Sequence, residues 1–350
     1  MAVPRHYGAS VTTRLGPVGR LARMANGSGD PGTTTIAVTL EYVDVTLLGI
    51  DPDAGEFPPL LRDCVGVLAA CGVVPDKTRL VITGDFVRSV QDRGEPDSVY
   101  HQNYDTRRNT GMVGGKTIPR PDSTVDVLLH AAMFVPADDD GAEVAIRTLV
   151  HEAQHVVIYQ NGEAGDDFES APWARRNFLT SADQVIEEYR AESVASRVAG
   201  PSGWNTDGLV ALVRTWLKDL RRIAVKEYQF HLDAGKLAYD ILQETHTVWK
   251  LLAYVVAEQV ATDQTLPTSV VEDDLWALSV APHWAEFTAM LKAVPGGDQR
   301  APRTELDELA SNLADVMQRW LLTLGFEFTD MPEGSAFFIT DWSLLELELD

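Results

Sequence analysis

The pattern of apolar and polar positions changes character near residue 140. Before that point the apolar segments are short, rich in β-branched residues and separated by turn residues, which is typical of strands with an occasional helix. The N-terminal part therefore predicts an α/β layer. The predicted strands cover residues 33–48, 78–90, 114–118 and 124–130, and the predicted helix covers residues 58–71.

From residue 140 onward the apolar positions recur at helical spacing. Asp140 is followed three residues later by Glu143, which predicts the start of a helix, and Asn161-Gly162 predicts its end. The fold class is therefore expected to be α+β, with a mainly α-helical C-terminal half. The predicted helices cover residues 140–160, 182–199, 206–230, 234–262, 270–293 and 304–324, and a short strand covers residues 335–339.

The N-terminal residues 1–32 carry arginines and a Gly/Ser/Thr-rich stretch, and we expect them to form a disordered arm in which Met24 is an alternative start. The α/β domain is then expected over residues 33–200. A mainly helical domain is expected over residues 201–350, where it would complete the active-site cleft.

Charge and composition narrow the classes of partner. The 350-residue chain carries 52 acidic and 29 basic side chains, a formal net charge of −23, which argues against nucleic acid and anionic membrane surfaces as partners. It has no run of the roughly 18–20 apolar residues that a membrane span requires. Cys64 and Cys71 lie too far apart on a helix for a disulfide, so a reducing, cytoplasmic setting and a soluble protein are expected.

The segment from Ile146 to Ile158 contains the motif His-Glu-x-x-His. Residues i and i+4 lie on one face of a helix, so His151 and His155 can present two imidazoles to one zinc ion. Glu152 can then take a proton from a metal-bound water and serve as the catalytic base. The alternative is that both histidines are ordinary core residues and the motif arose by chance.

A catalytic zinc needs a third protein ligand and one open position. Glu188 and Glu192 are one turn apart on a predicted helix, so one could bind the metal while the other orients a ligand histidine. Glu187 points elsewhere on that helix, although the sequence leaves the choice among the three open. The alternative is an exposed acidic helix on which Glu188 and Arg190 are surface charges.

These residues resemble the gluzincin metallopeptidases, in which His-Glu-x-x-His is followed on a later helix by a metal-binding glutamate. Glu188-Tyr-Arg-Ala-Glu192 is similar to the Glu-x-x-Ala-Asp/Glu signature of several such enzymes. The resemblance covers about residues 140–199 and implies a zincin-like domain in which Glu188 is the third ligand and Glu192 orients a ligand histidine. The spacing from His155 to Glu188 is longer than in many members, and the membrane-embedded branches are poor guides because no membrane helix is predicted.

The resemblance also implies an edge strand that pairs with extended peptide, for which residues 124–130 are the candidate; an ordinary internal strand is the alternative. The loop 159–182 contains Asp166, Asp167 and Glu169, and could be a lid that favours a basic substrate residue. The oxyanion formed in hydrolysis needs a hydrogen-bond donor. The candidate donors are Tyr228 and His231, and with them Tyr239, His246, Tyr104 and His101.

The leading hypothesis is a zinc-dependent hydrolase that cleaves a peptide or amide bond of a peptide or protein substrate. A second hypothesis keeps the shape but makes the protein an inactive binding or regulatory module. A third hypothesis is that the protein binds no metal. A fourth is that it is a zinc enzyme that hydrolyses a non-peptide substrate. The sequence indicates neither cleavage specificity nor oligomeric state.

Overall fold

The structure is a computed structural model, and it describes residues 7–13, 34–50, 57–94, 104, 107–108, 111–135, 139–165, 168–202, 206–344 and 346–347. The chain divides into two compact units. The first comprises Met1–Gly162 with Val194–Gly200, and the second comprises Glu163–Ser193 with Pro201–Asp350. This division differs from the expected boundary at residue 200, because residues 163–193 pack with the helical part of the chain.

The first unit is built on a mixed sheet. The strands of this unit are β1 (Tyr7–Thr13), β2 (Thr34–Glu41), β3 (Thr78–Thr83), β4 (Arg107–Arg108), β5 (Gly111–Met112), β6 (Gly115–Pro119) and β7 (Val125–His130). In the described sheet the order is β1-β2-β3-β7-β6, with β2, β3 and β7 parallel and the outer strands β1 and β6 antiparallel to their neighbours. A separate two-stranded ribbon is formed by β4 and β5.

The prediction that residues 124–130 form an edge strand is wrong. In the described sheet β7 lies between β3 and β6, and the two edge strands are β1 and β6. Burial explains the arrangement: β7 is buried at every position from Val125 to Leu129, as parallel central strands are, whereas β6 is half-buried along most of its length. Even Asp126 is buried, because its carboxylate pairs with Arg79 and Arg93.

Two predicted strands are shorter than the sequence indicated. The strand expected over 33–48 ends at Glu41, and the one expected over 78–90 ends at Thr83. Each is followed by a short helical turn that an aspartate caps: Asp44 accepts from the backbone of Thr46, and Asp85 accepts from the backbone of Arg88. The strand β1 lies inside the expected disordered arm, and the rest of that arm lies outside the described residues.

Two helices of the first unit, α1 (Pro59–Ala70) and α3 (Asp139–Gln160), share one hydrophobic core with the sheet. A short helix, α2 (Phe86–Gln91), follows β3. The end of α3 is confirmed: Gly162 has a positive φ of 70°, a conformation that favours glycine after a helix. Cys64 of α1 and Cys71, which follows the end of that helix, are free, and burial raises the pKa of each thiol to about 12.

The described residues of the second unit are helical apart from one hairpin and the connecting segments, and its core includes Phe178, Trp249 and Trp320. One predicted helix has the observed bounds, 234–262. The helix predicted over 182–199 begins earlier, at Trp173. The elements are α4 (Trp173–Ala199), α5 (Thr206–Arg221), a π-helical turn (Arg222–Glu227), α6 (Tyr228–His231), α7 (Ala234–Thr262), α8 (Thr268–Val271), α9 (Asp274–Ser279), α10 (Ala281–Lys292), α11 (Arg303–Thr323), β8 (Phe326–Met331) and β9 (Gly334–Ile339).

The predicted helices 206–230 and 270–293 are each interrupted, the first by the π-helical turn and the second by breaks between α8, α9 and α10. The fold class is α+β, as predicted. Of the helices in the described part of the chain, none combines the length and apolar character that a membrane crossing demands.

Candidate metal centre

His151 and His155 lie one turn apart on α3, and their side chains project from the same face of the helix. Their Nε2 atoms are 3.2 Å apart, and the rings meet edge to face with centroids 4.9 Å apart. The opposite side of the helix is anchored in the core of the first unit by Leu149, Ala153 and Val156, all fully buried. The helix rotation is therefore fixed, and both imidazoles are held on its half-buried side.

The spacing of these two nitrogens fits a shared metal ion. Two nitrogen ligands placed about 2.05 Å from a zinc ion in tetrahedral geometry lie about 3.3 Å from one another. The observed 3.2 Å agrees with that value. Two neutral imidazoles and one carboxylate also form a donor set that zinc accepts, with a fourth position left open.

Glu188 supplies the third group. One nitrogen of each histidine and one carboxylate oxygen of Glu188 all lie within 4.8 Å of one another, and this is the metal-ligating group found among the described residues. Glu188 lies on α4, a continuous helix whose last turns belong to the first unit: Val194 and Ala195 are in the same core as α3. Val194 follows Glu188 by six residues on this helix, which corresponds to about 9 Å along the helix axis.

The carboxylate of Glu152 is nearly buried, with the residue 8% exposed, and it contacts the edge strand. The Thr117 hydroxyl on β6 lies 2.8 Å from Glu152 Oε2 and 2.9 Å from the Glu152 backbone oxygen. A Cβ at position 115 would lie only 2.8 Å from Glu152 Cγ and 3.0 Å from Oε1, so glycine there permits the strand to approach α3 closely. The base candidate is thus oriented by the neighbouring strand.

The other predicted glutamates differ in their surroundings. Glu192 is 1% exposed, and neither Glu192 nor Glu187 belongs to the metal-ligating group of the described residues. Arg190 is not a surface charge, contrary to one interpretation of the sequence. It is 1% exposed and pairs with Glu163 at 2.5 Å, and it donates to the backbone oxygens of Pro295 and Gln299.

The sequence did not single out two residues that bind Glu188. The Tyr254 hydroxyl donates to Glu188 Oε2 at 2.5 Å, and Lys250 Nζ pairs with Oε1. Both lie on α7, one turn apart, and His246 precedes them by another turn. These polar residues recur every four positions on a largely apolar helix, and this pattern is the sequence signal that could have identified Lys250 and Tyr254.

The predicted oxyanion donors Tyr228 and His231 lie together on α6. Their rings meet edge to face, and His231 Nδ1 accepts a hydrogen bond from the backbone of Asp233 at 3.0 Å. Neither is part of the metal-ligating group, and their role stays a prediction. His101, Asp166 and Asp167 lie outside the described residues. The loop expected over residues 159–182 is shorter than predicted, because the chain is helical from Trp173 onward, and the proposed acidic lid stays a prediction.

His246 lies on α7 and is half-buried in the described structure. Burial, assisted by the nearby charge of Lys250, lowers its pKa to about 4, while Glu188 acts in the opposite direction. In the described structure its Nδ1 atom is buried without a hydrogen-bond partner. Because the folded pKa lies below the ordinary value of 6.5, the unfolded chain binds this proton first as the pH falls.

His246 should therefore make the protein acid-labile. The part of the free energy of unfolding that depends on neutral His246 is fully present above about pH 6.5. It is lost as the pH falls towards 4, at up to about 1.4 kcal/mol per pH unit. We expect His246→Gln to lose less free energy of unfolding than the original protein between pH 7 and 4, by about 3 kcal/mol or less. Urea titrations of both metal-free proteins across this range measure the difference, since other titrating groups are common to both. Parallel pH profiles would contradict it.

Comparison with known proteins adds no family assignment, because no protein-family model, curated protein or solved structure matches this chain.

Proposed function

We propose that this protein is a zinc-dependent hydrolase that cleaves a peptide or amide bond. The observation that carries the proposal is the convergence of His151, His155 and Glu188, with the two imidazole nitrogens 3.2 Å apart. The arrangement supports the resemblance to gluzincins, in which a later helix provides the carboxylate ligand. Zinc, when bound, supplies a Lewis acid that lowers the pKa of water and polarises the substrate carbonyl.

Glu152 is the residue that moves the proton. Thr117 engages its Oε2 atom, and Oε1 lies beside Gly115, where a larger residue would crowd it. Glu152 takes a proton from the attacking water and then delivers it to the leaving nitrogen. The hydrogen bond from Thr117 holds the carboxylate in one orientation during both transfers.

The substrate backbone pairs with β6. This strand is one of the two edge strands of the described sheet, and it runs beside α3 at the level of Glu152. An extended peptide can add to such an edge through main-chain hydrogen bonds, which gives affinity without demanding particular side chains. In this proposal β6 is the peptide-binding edge strand, the role that the resemblance implied for residues 124–130. The first unit is then zincin-like.

The proposal is tested by metal dependence and by a matched pair of glutamate variants. Chelator-stripped protein should not cleave a mixed peptide library, and one equivalent of Zn²⁺ per chain should restore cleavage, as measured by mass spectrometry. Glu188→Gln should weaken zinc binding by at least about tenfold, because it removes a charged ligand. Glu187→Gln, on the adjacent position of α4, should bind zinc as the original protein does.

Two results would overturn the proposal. One is a purified protein that takes up no stoichiometric zinc and cleaves nothing in the library. The other is an equal loss of zinc affinity in both glutamate variants, which would show that the effect comes from the charge of α4 as a whole.

A further inference from the structure

The carboxylate of Glu188 is held at both oxygens from one side of α7. The Tyr254 hydroxyl donates to Oε2 at 2.5 Å, and the Lys250 ammonium pairs with Oε1. The side chains of Lys250 and Glu188 are 31% and 15% exposed, so the pair is partly shielded from water. All three residues lie in the second unit.

The two partners have opposite consequences for a metal ligand. A hydroxyl that donates to one carboxylate oxygen leaves the other oxygen free to bind a cation, and it fixes the orientation of the group. An ammonium neutralises the same charge that attracts the cation, and it repels a divalent ion brought to the same carboxylate. Tyr254 therefore favours ligation by Glu188, and Lys250 opposes it.

We propose that Lys250 is a built-in competitor of the metal ion for Glu188 and that Tyr254 is the positioning residue that orients this carboxylate for ligation. The inference rests on the proposed metal site. In the metal-free protein the ammonium holds Oε1 of Glu188. A divalent cation binds only as the ammonium withdraws from that oxygen, and Tyr254 keeps Oε2 engaged throughout. The zinc affinity of the site is thereby set lower than the three ligands alone would give.

The test is the zinc affinity of stripped full-length variants, measured by competition with a chromophoric chelator at neutral pH. Lys250→Met should bind Zn²⁺ about three- to tenfold more tightly than the original protein, because the competing charge is gone. Lys250→Arg retains the charge and should stay close to the original affinity. Tyr254→Phe should bind about three- to tenfold more weakly, since it removes only the orienting hydroxyl.

Lys236→Met is the matched control. This lysine lies on the same helix, where it pairs with Asp240 at an exposed position, so its loss should leave the zinc affinity unchanged within about twofold. If Lys250→Met folds poorly, Lys250→Gln replaces it, and the rise in melting temperature on adding Zn²⁺ should be larger than in the original protein.

The outcomes separate this inference from the function proposed above. Unchanged or weaker zinc binding in Lys250→Met overturns the competitor role while leaving the metal site intact. Unchanged binding in Tyr254→Phe overturns the positioning role. An original protein that binds no Zn²⁺ overturns the inference together with the proposed function.

Discussion

Replacing Glu152 by glutamine is expected to lower kcat for peptide hydrolysis by about 10²- to 10⁴-fold while the protein keeps its zinc. The amide has nearly the shape of the carboxylate, and its oxygen can still accept from the Thr117 hydroxyl that now lies 2.8 Å from Oε2. It cannot accept the proton of the attacking water. The loss should therefore appear in kcat and leave metal content and stability nearly unchanged.

Glu143→Gln is the control for this experiment. Glu143 is exposed on the same helix, so its replacement changes the charge of α3 equally but should leave kcat at the original value. Metal content by elemental analysis and unfolding by urea accompany each rate measurement. Full activity in Glu152→Gln would remove Glu152 from the mechanism, and loss of zinc in that variant would assign it to metal binding instead.

Structural features that are determined by residues close together in the sequence could be predicted from it. The helix bearing His151 and His155 was expected to run from 140 to 160 and is observed over Asp139–Gln160, because apolar periodicity and a glycine stop are local signals. The same holds for α7, observed over the predicted range 234–262. The convergence of the two histidines is also local, because a spacing of four residues on a helix determines it.

Features that depend on distant pairing were not predictable. Whether residues 124–130 form an edge or a central strand is decided by β3 and β6, and the strand sequence fits both positions until its partners are known. The burial of Asp126 depends on distant residues in the same way, because its carboxylate is paired with Arg79 and Arg93.

The contacts of Glu188 with Lys250 and Tyr254 span 62 and 66 positions of sequence, so no local pattern reports them. The row of polar residues on α7 indicates that the face bearing His246, Lys250 and Tyr254 is not made up of core residues alone. It does not indicate which residue of α4 lies opposite. Glu188 was accessible from the sequence as a candidate ligand only through its motif, whereas the residues that contact it required the folded chain.

Arg190→Met is expected to lower the free energy of unfolding of the second unit by about 3–5 kcal/mol. Arg190 and Glu163 have side chains only 1% and 2% exposed, so removing one partner leaves a buried charge without compensation. The backbone oxygens of Pro295 and Gln299 would also lose the donor that Arg190 provides. The double variant Arg190→Met with Glu163→Gln should recover part of the loss, because the uncompensated carboxylate is gone.

The chain offers both a selective probe and a matched control for this measurement. The residue ranges of the first unit contain no tryptophan, so tryptophan fluorescence during urea titration follows the unfolding of the second unit. Arg319→Met breaks an ion pair with Glu286 that is about half exposed, and it should cost about 1 kcal/mol or less. Equal losses in the two arginine variants would refute the buried-pair explanation. Because Arg190 is two residues from Glu188 on α4, loss of its contacts should also loosen this proposed ligand, and zinc affinity should fall in Arg190→Met but not in Arg319→Met.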